Sequence, residues 1–146
     1  MTCVVPDELT GFGTLLQYKD PITTDWVTVG GTQDLEFPAD ETDEIETTAN
    51  DSSSGYRRYI PSPLSMLAEV EYEMNFRSAQ WLTMANMKAN KTITDWRIVL
   101  QNESQTYMQF CAWIRAISGA IPMEDLVKAN ITLRPTGAPT RGNLVV

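Results

Sequence analysis

The chain has 146 residues, with 11 basic against 19 acidic side chains for a net charge of −8, and it contains no histidine. That length suits one domain with a self-sufficient core, and the missing imidazole removes the commonest general base, the Ser-His and Cys-His pairs and the preferred zinc ligand. The acidity, with a sequence pI near 4.4, also disfavours a grip on nucleic acid, whose phosphates need Lys and Arg.

In chain order, residues 1–12 predict a flexible N-terminal arm. Its start, Met1-Thr2-Cys3-Val4-Val5-Pro6-Asp7, has neither the basic opening nor the apolar run of a signal peptide, so the chain is expected to stay in the cytoplasm where it is made. Gly13–Tyr18 and Trp26–Val29 flank Lys19-Asp20-Pro21 and predict two strands joined by a turn. Residues 20–56 then carry ten acids and no base, whereas residues 57–146 carry ten bases and seven acids. Such a split favours association of like subunits through differently charged surfaces, or else marks a solvated acidic loop. Residues Thr47–Leu64 form a segment too long for an ordinary turn. A Ser/Gly tract runs into Tyr56-Arg57-Arg58-Tyr59-Ile60-Pro61, residue types favoured at interface hot spots. The residues alone allow a mobile surface loop or an arm that orders against a neighbouring subunit.

Ala68–Phe76 alternates cleanly. Ala68, Val70, Tyr72, Met74 and Phe76 face one way and Glu69, Glu71, Glu73 and Asn75 the other, as in a half-buried strand. The three glutamates repel one another and need solvent or bases, for which Arg57, Arg58 and Arg77 are candidates. Ser78–Lys88 predicts the one helix, with Ser78 as N-cap, Trp81, Leu82 and Ala85 at helical spacing, and Lys88 and Lys91 about its end at Asn90. It would cover one open side of the strands. Thr94–Leu100 and Gln105–Ile117, joined by Gln101-Asn102-Glu103-Ser104, predict a hairpin in which Cys111 is a small buried hydrophobe. Val127–Arg134 alternates again, and residues 138–146 are expected to form a C-terminal tail. Two cysteines make no disulfide framework, and no stretch approaches the length of a membrane span.

Catalytic chemistry finds no foothold. Gly11-Phe12-Gly13 lacks the third Gly, the Lys and the preceding strand of a phosphate loop. The string Asp40-Glu41-Thr42-Asp43-Glu44 lacks the spacing of an EF-hand, leaving open only a loose divalent-ion site. No serine is offered a base. The expectation is a single, mainly β domain over residues 1–146 that is not an enzyme and has no catalytic, cofactor or metal residues.

The run Gly55–Leu64, after Thr47–Ser52 and leading into Glu69–Phe76, resembles the central signature of the tail tube (major tail) proteins of long-tailed, non-contractile bacteriophages. Gly13–Leu16 with Trp26–Gly30 agrees with it. So do Trp96–Leu100 with Tyr107–Ile117 leading to Gly119-Ala120-Ile121-Pro122, and the closing Ala129–Pro139. The resemblance covers residues 13 to 139. It implies a β-sandwich or barrel-like subunit with one flanking helix and a long inter-subunit loop. Six such subunits form a ring, and rings stack into the tube through which DNA is ejected. The family's loop maps onto Thr47–Leu64, with Asp51, Tyr56, Arg57, Arg58, Tyr59, Ile60 and Pro61 as contact residues. The family's acidic lumen makes Asp40, Glu41, Asp43, Glu44, Glu69, Glu71 and Glu73 candidates for that wall. Implied partners are further copies of the chain, a tape measure protein, tail terminator and tail tip proteins, and double-stranded DNA in transient passage, with no membrane binding and no cofactor. The implied location is the virion tail, assembled in the host cytoplasm. Longer members carry an immunoglobulin-like domain; with a chain ending at Val146, surface decoration by the tube is not expected. Two other readings are the tube protein of a contractile tail or secretion-like apparatus, and an acidic soluble binding domain that mimics DNA.

Overall fold

The computed structural model describes residues 10–49 and 55–145. The described residues form the strands β1 (Leu15–Lys19), β2 (Trp26–Thr28), β3 (Asp40–Glu46), β4 (Tyr59–Leu67), β5 (Val70–Asn75), β6 (Ile93–Val99), β7 (Thr106–Ala120) and β8 (Lys128–Asn143). The single helix among the described residues, α1, spans Ser78–Ala89. Six strands form one antiparallel sheet in the order β2-β1-β6-β7-β8-β5, and β3 pairs with β4 alone.

The sheet curls until its two edges meet. Immediately after β2 the backbone crosses to β5, where Gln33 N–H donates to the Glu73 carbonyl at 2.9 Å and Asn75 N–H to the Gly31 carbonyl at 2.9 Å. Gly31 makes that crossing with φ +74, a conformation glycine adopts without a Cβ penalty. The result is a barrel-like shell, as the resemblance implies, joined at its seam by the segment after β2, where Thr32 bridges Met74, rather than by pairing of β2 with β5. Inside it lie Leu16, Tyr72, Trp96, Phe110, Ile131 and Leu133, each at most 1% exposed. Burying each such side chain is worth about 1.5–3 kcal/mol, so the shell has its own source of stability. Tyr18 packs against Trp96 with ring centroids 5.2 Å apart.

α1 plugs the shell from one side. The Gln80 side chain clamps it to the β2 exit, accepting from Gly30 N–H at 2.9 Å and donating to the Gly30 carbonyl at 3.1 Å. Two details differ from the sequence reading. The N-cap is Arg77, in extended geometry and without a side-chain capping bond, so Ser78 already sits in the first turn. Met84 and Met87 are buried while Leu82 is 62% exposed; the helix is rotated to put its methionines, with half-buried Trp81, on the core. The end at Asn90 beside Lys88 is as expected.

Three further expectations are corrected. Residues 138–143 are not a tail but the last part of β8, because Thr106–Gln109 offers them a partner as far as Asn143. Pro135, Gly137 and Pro139 conceal this in the sequence. The strand absorbs them beside the register shift at Gln109/Cys111, where a bulge tolerates residues that break a regular ladder. Cys111 is exposed rather than buried, because it falls at that shift and on the outer face of β7. Its thiol donates to Asp95 Oδ1 at 3.0 Å, which, with burial and the Asp95 charge, pushes the thiol above its ordinary pKa. Phe76, expected inward, lies beyond β5, is 41% exposed and stacks on Trp81.

Candidate assembly surfaces

The β3–β4 hairpin is the first. All seven residues of β3 are exposed, and in β4 only Leu67 is buried. The acidic strand and the Tyr/Ile/Pro segment are thus partners in one ribbon, with Glu46 opposite Tyr59, Ile45 opposite Ile60 and Glu44 opposite Pro61. This corrects the sequence reading, in which Tyr59–Leu64 belonged to a loop. Ribbon pairing continues past the strands, since Thr47 N–H donates to the Arg58 carbonyl and Arg58 N–H to Thr48 Oγ1, both at 2.8 Å. Pro61 and Pro63 fit a strand with an open outer edge, where no N–H is required. Tyr56, Arg57 and Arg58 follow at the distal end and are all exposed. Asp51 lies outside the described residues.

The base of the ribbon is anchored to the barrel. Arg141 Nη2 on β8 pairs with Asp40 Oδ2 at 3.0 Å, and Ala68 N–H donates to the Ala39 carbonyl at 2.8 Å. Further out, Glu46 and Arg57 approach only to 4.0 Å. Glu41, Asp43 and Glu44 have no ion-pair partner among the described residues.

The second surface is the polar face of β5. Glu71 and Glu73 point away from the core, as their alternation predicts, and Glu69 immediately precedes the strand. Their partners are not Arg57, Arg58 or Arg77. Glu69 meets Arg115 on β7, and Glu73 meets Lys128 on β8 at 3.2 Å. Cross-strand registry explains the choice, since Glu73 lies opposite Asn130, diagonal to Lys128. Glu71 keeps no ion pair among the described residues. It borders a shallow depression of roughly 280 Å³ with Gln33, Asp34, Glu73 and Asn130. The hairpin acids and the β5 acids are therefore two separate sets. No group of three or more His, Cys, Asp or Glu among the described residues is placed to hold a metal ion.

A third surface was not singled out in the sequence. Lys88, Lys91, Ile93, Trp113, Ile114 and Arg115 line a groove of about 430 Å³ between the end of α1 and strands β6 and β7. The available signal was the excess of base over acid after residue 56; which bases meet was hidden, because they come from three elements.

No protein-family model matches the chain, and no curated protein does. Solved structures match it closely in shape. A chain of the anti-feeding prophage baseplate, six-fold symmetrised, superposes with a TM-score of 0.76 at 8% identity, covering 97% of this chain and 100% of that one. The tail of an empty gene transfer agent particle, refined with C6 symmetry, gives 0.75 at 12% identity, covering 91% and 98%. The SPP1 tail tube gives 0.67 at 14% identity, covering 95% and 81%. The chain has the tail tube fold, mainly β with one helix among the described residues. These neighbours are structural components of tails and baseplates, and none is named as an enzyme.

Proposed function

We propose that this chain is the tail tube subunit of a phage-like particle, assembling as six-membered rings that stack into a conduit for DNA. The observation that supports this best is the hairpin. A barrel with its own core carries a ribbon with almost every residue exposed, and a lone two-stranded ribbon is marginal in water. Such a ribbon is stabilised when it meets a partner. The barrel's likeness to tail components, one of them refined with C6 symmetry, suggests that the partner is another copy. Tyr56, Arg57, Arg58, Tyr59, Ile60 and Pro61 at the ribbon's distal half are the proposed contact residues, with Asp51 beside them in sequence.

The proposed lumen wall is the β5 face, led by Glu71 and Glu73. A ring of six such chains at −8 each carries −48. DNA carries about one charge per 1.7 Å of axis, and physiological salt screens beyond about 8 Å. A negative wall therefore offers passing DNA no adhesive site. Terminator, tape measure and tail tip proteins would bound the tube, in a virion tail built in the host cytoplasm.

Negative-stain microscopy of the purified protein tests the reading: rings or tubes about one subunit thick in the wall are expected, and persistently compact monomers would sink it. A sheath around tails isolated from the source would instead assign the tube to a contractile apparatus.

A further inference from the structure

We infer that the basic groove at the end of α1 receives the outward face of the β3–β4 hairpin from a second copy of this chain, an inference that rests on the tube reading above.

The two faces of the ribbon differ. Side chains alternate along a strand, and the register shift between Thr42 and Glu44 puts its extra residues on β4, so Glu41, Asp43 and Ile45 share one face of β3. The register adds Met66 opposite Glu41 and Ile60 opposite Ile45. The other face carries Asp40, tied to Arg141, and Leu67, which is buried at the base. The first face thus points away from its own barrel. It presents two carboxylates without ion-pair partners among the described residues, beside Ile45, Ile60 and Met66, each 44–49% exposed.

The groove has the complementary composition. Lys88 and Lys91 are exposed and form no ion pair among the described residues. Beside them lie Ile93 on β6, 61% exposed, and half-buried Trp113 on β7. Two ammonium groups beside an apolar floor suit a ligand with two carboxylates beside apolar side chains, where each ion pair also fixes register. Arg115, at the groove's edge, is already shared with Glu69.

The occupant is a second copy because the two faces sit on different elements of one chain. Within a subunit the hairpin packs against β8 and α1 packs against β7. A contact between unlike faces of identical subunits is heterologous, so it propagates and closes into rings or extends into filaments. A self-complementary patch would stop at a dimer.

The test is a charge swap. Lys88→Glu/Lys91→Glu and Glu41→Lys/Asp43→Lys each place like charges together; all four side chains are exposed, so both variants should keep the wild-type circular dichroism spectrum. Each is expected to raise the concentration needed for assembly about tenfold or more by sedimentation velocity. The four-fold variant, with the charges exchanged across the contact, is expected to recover most of that loss. If Lys88→Glu/Lys91→Glu assembles like wild type, or the four-fold variant is no better than either double variant, the groove is not the acceptor, while the tube reading stands. If wild type itself never assembles at any concentration, the tube reading fails and this inference with it.

Discussion

The barrel and the hairpin are built from the same kind of element by opposite use of alternation. In β5, Val70, Tyr72 and Met74 are buried and Glu71 and Glu73 are exposed, so each strand gives one face to the core. In β3, both faces are exposed, so alternation yields two surfaces and no core. The barrel is stabilised within the subunit, whereas the hairpin holds by backbone pairing and a few tethers at its base. In the proposed tube, a subunit that assembles without unfolding would gain from this division. The barrel carries the stability, and the hairpin remains available to a neighbour.

The division can be broken most severely from the barrel side. Trp96→Ala removes a ring that is 0% exposed and should cost about 3–5 kcal/mol of unfolding free energy, measured by denaturant titration. A cost below about 1 kcal/mol would mean the barrel core is not the main stabiliser. Hydrogen exchange gives the next contrast. In free subunits, amides of 41–46 and 59–66 should exchange on the order of a hundredfold faster than those of 108–114, and assembly should erase much of the gap. Equal protection before assembly would remove the case for a partner-seeking ribbon.

Tyr72→Phe is intermediate. The Tyr72 hydroxyl donates to the Glu36 carbonyl at 2.8 Å, so its loss should cost about 1–2 kcal/mol. Burial, with the nearby Glu36 charge, raises the Tyr72 pKa well above 10.0. A raised folded-state pKa contributes stability that is complete below pH 10 and lost as pH climbs beyond it. Wild type should therefore weaken above pH 10, and the variant should lose less over that window. The smallest stability effects belong to the hairpin. Asp40→Asn releases an ion pair whose side chains are 36% and 57% exposed, worth less than about 1 kcal/mol, yet it should speed exchange throughout the ribbon. Arg57→Glu/Arg58→Glu should leave the melting transition within about 0.5 kcal/mol of wild type while abolishing tubes in the microscope. Normal tubes from that variant would show that the distal ribbon takes no part in assembly.

Two strands with one buried face, 70–75 and 128–133, were readable before any coordinates because burying one face writes period two into the residues; 15–19 was readable from its neighbouring turn, and 93–99 and 106–117 from their aromatic and β-branched content. The hairpin was not. Asp40–Glu46 has no apolar stripe to announce a strand, and its partner Tyr59–Leu67 contains two prolines that argue for a loop. Their pairing is decided by backbone hydrogen bonds, which side-chain chemistry hardly records. Of the expected assembly residues, Tyr59, Ile60 and Pro61 lie on β4 rather than in the expected loop.

Composition and alternation by themselves determined a mainly β chain with one helix, a core drawn from alternate residues, and an acidic first half set against a more basic second half. These are local properties, present wherever the chain goes. Tertiary structure alone decided which acids are paired within the described residues. Asp40, Glu69 and Glu73 find Arg141, Arg115 and Lys128 from strands distant in sequence, while Glu41, Asp43 and Glu71 have no ion-pair partner among the described residues. It also decided that Lys88 and Lys91 border a groove floored by Ile93 and Trp113. Charge is a property of residues, but its availability depends on which chains the fold brings within a few ångströms.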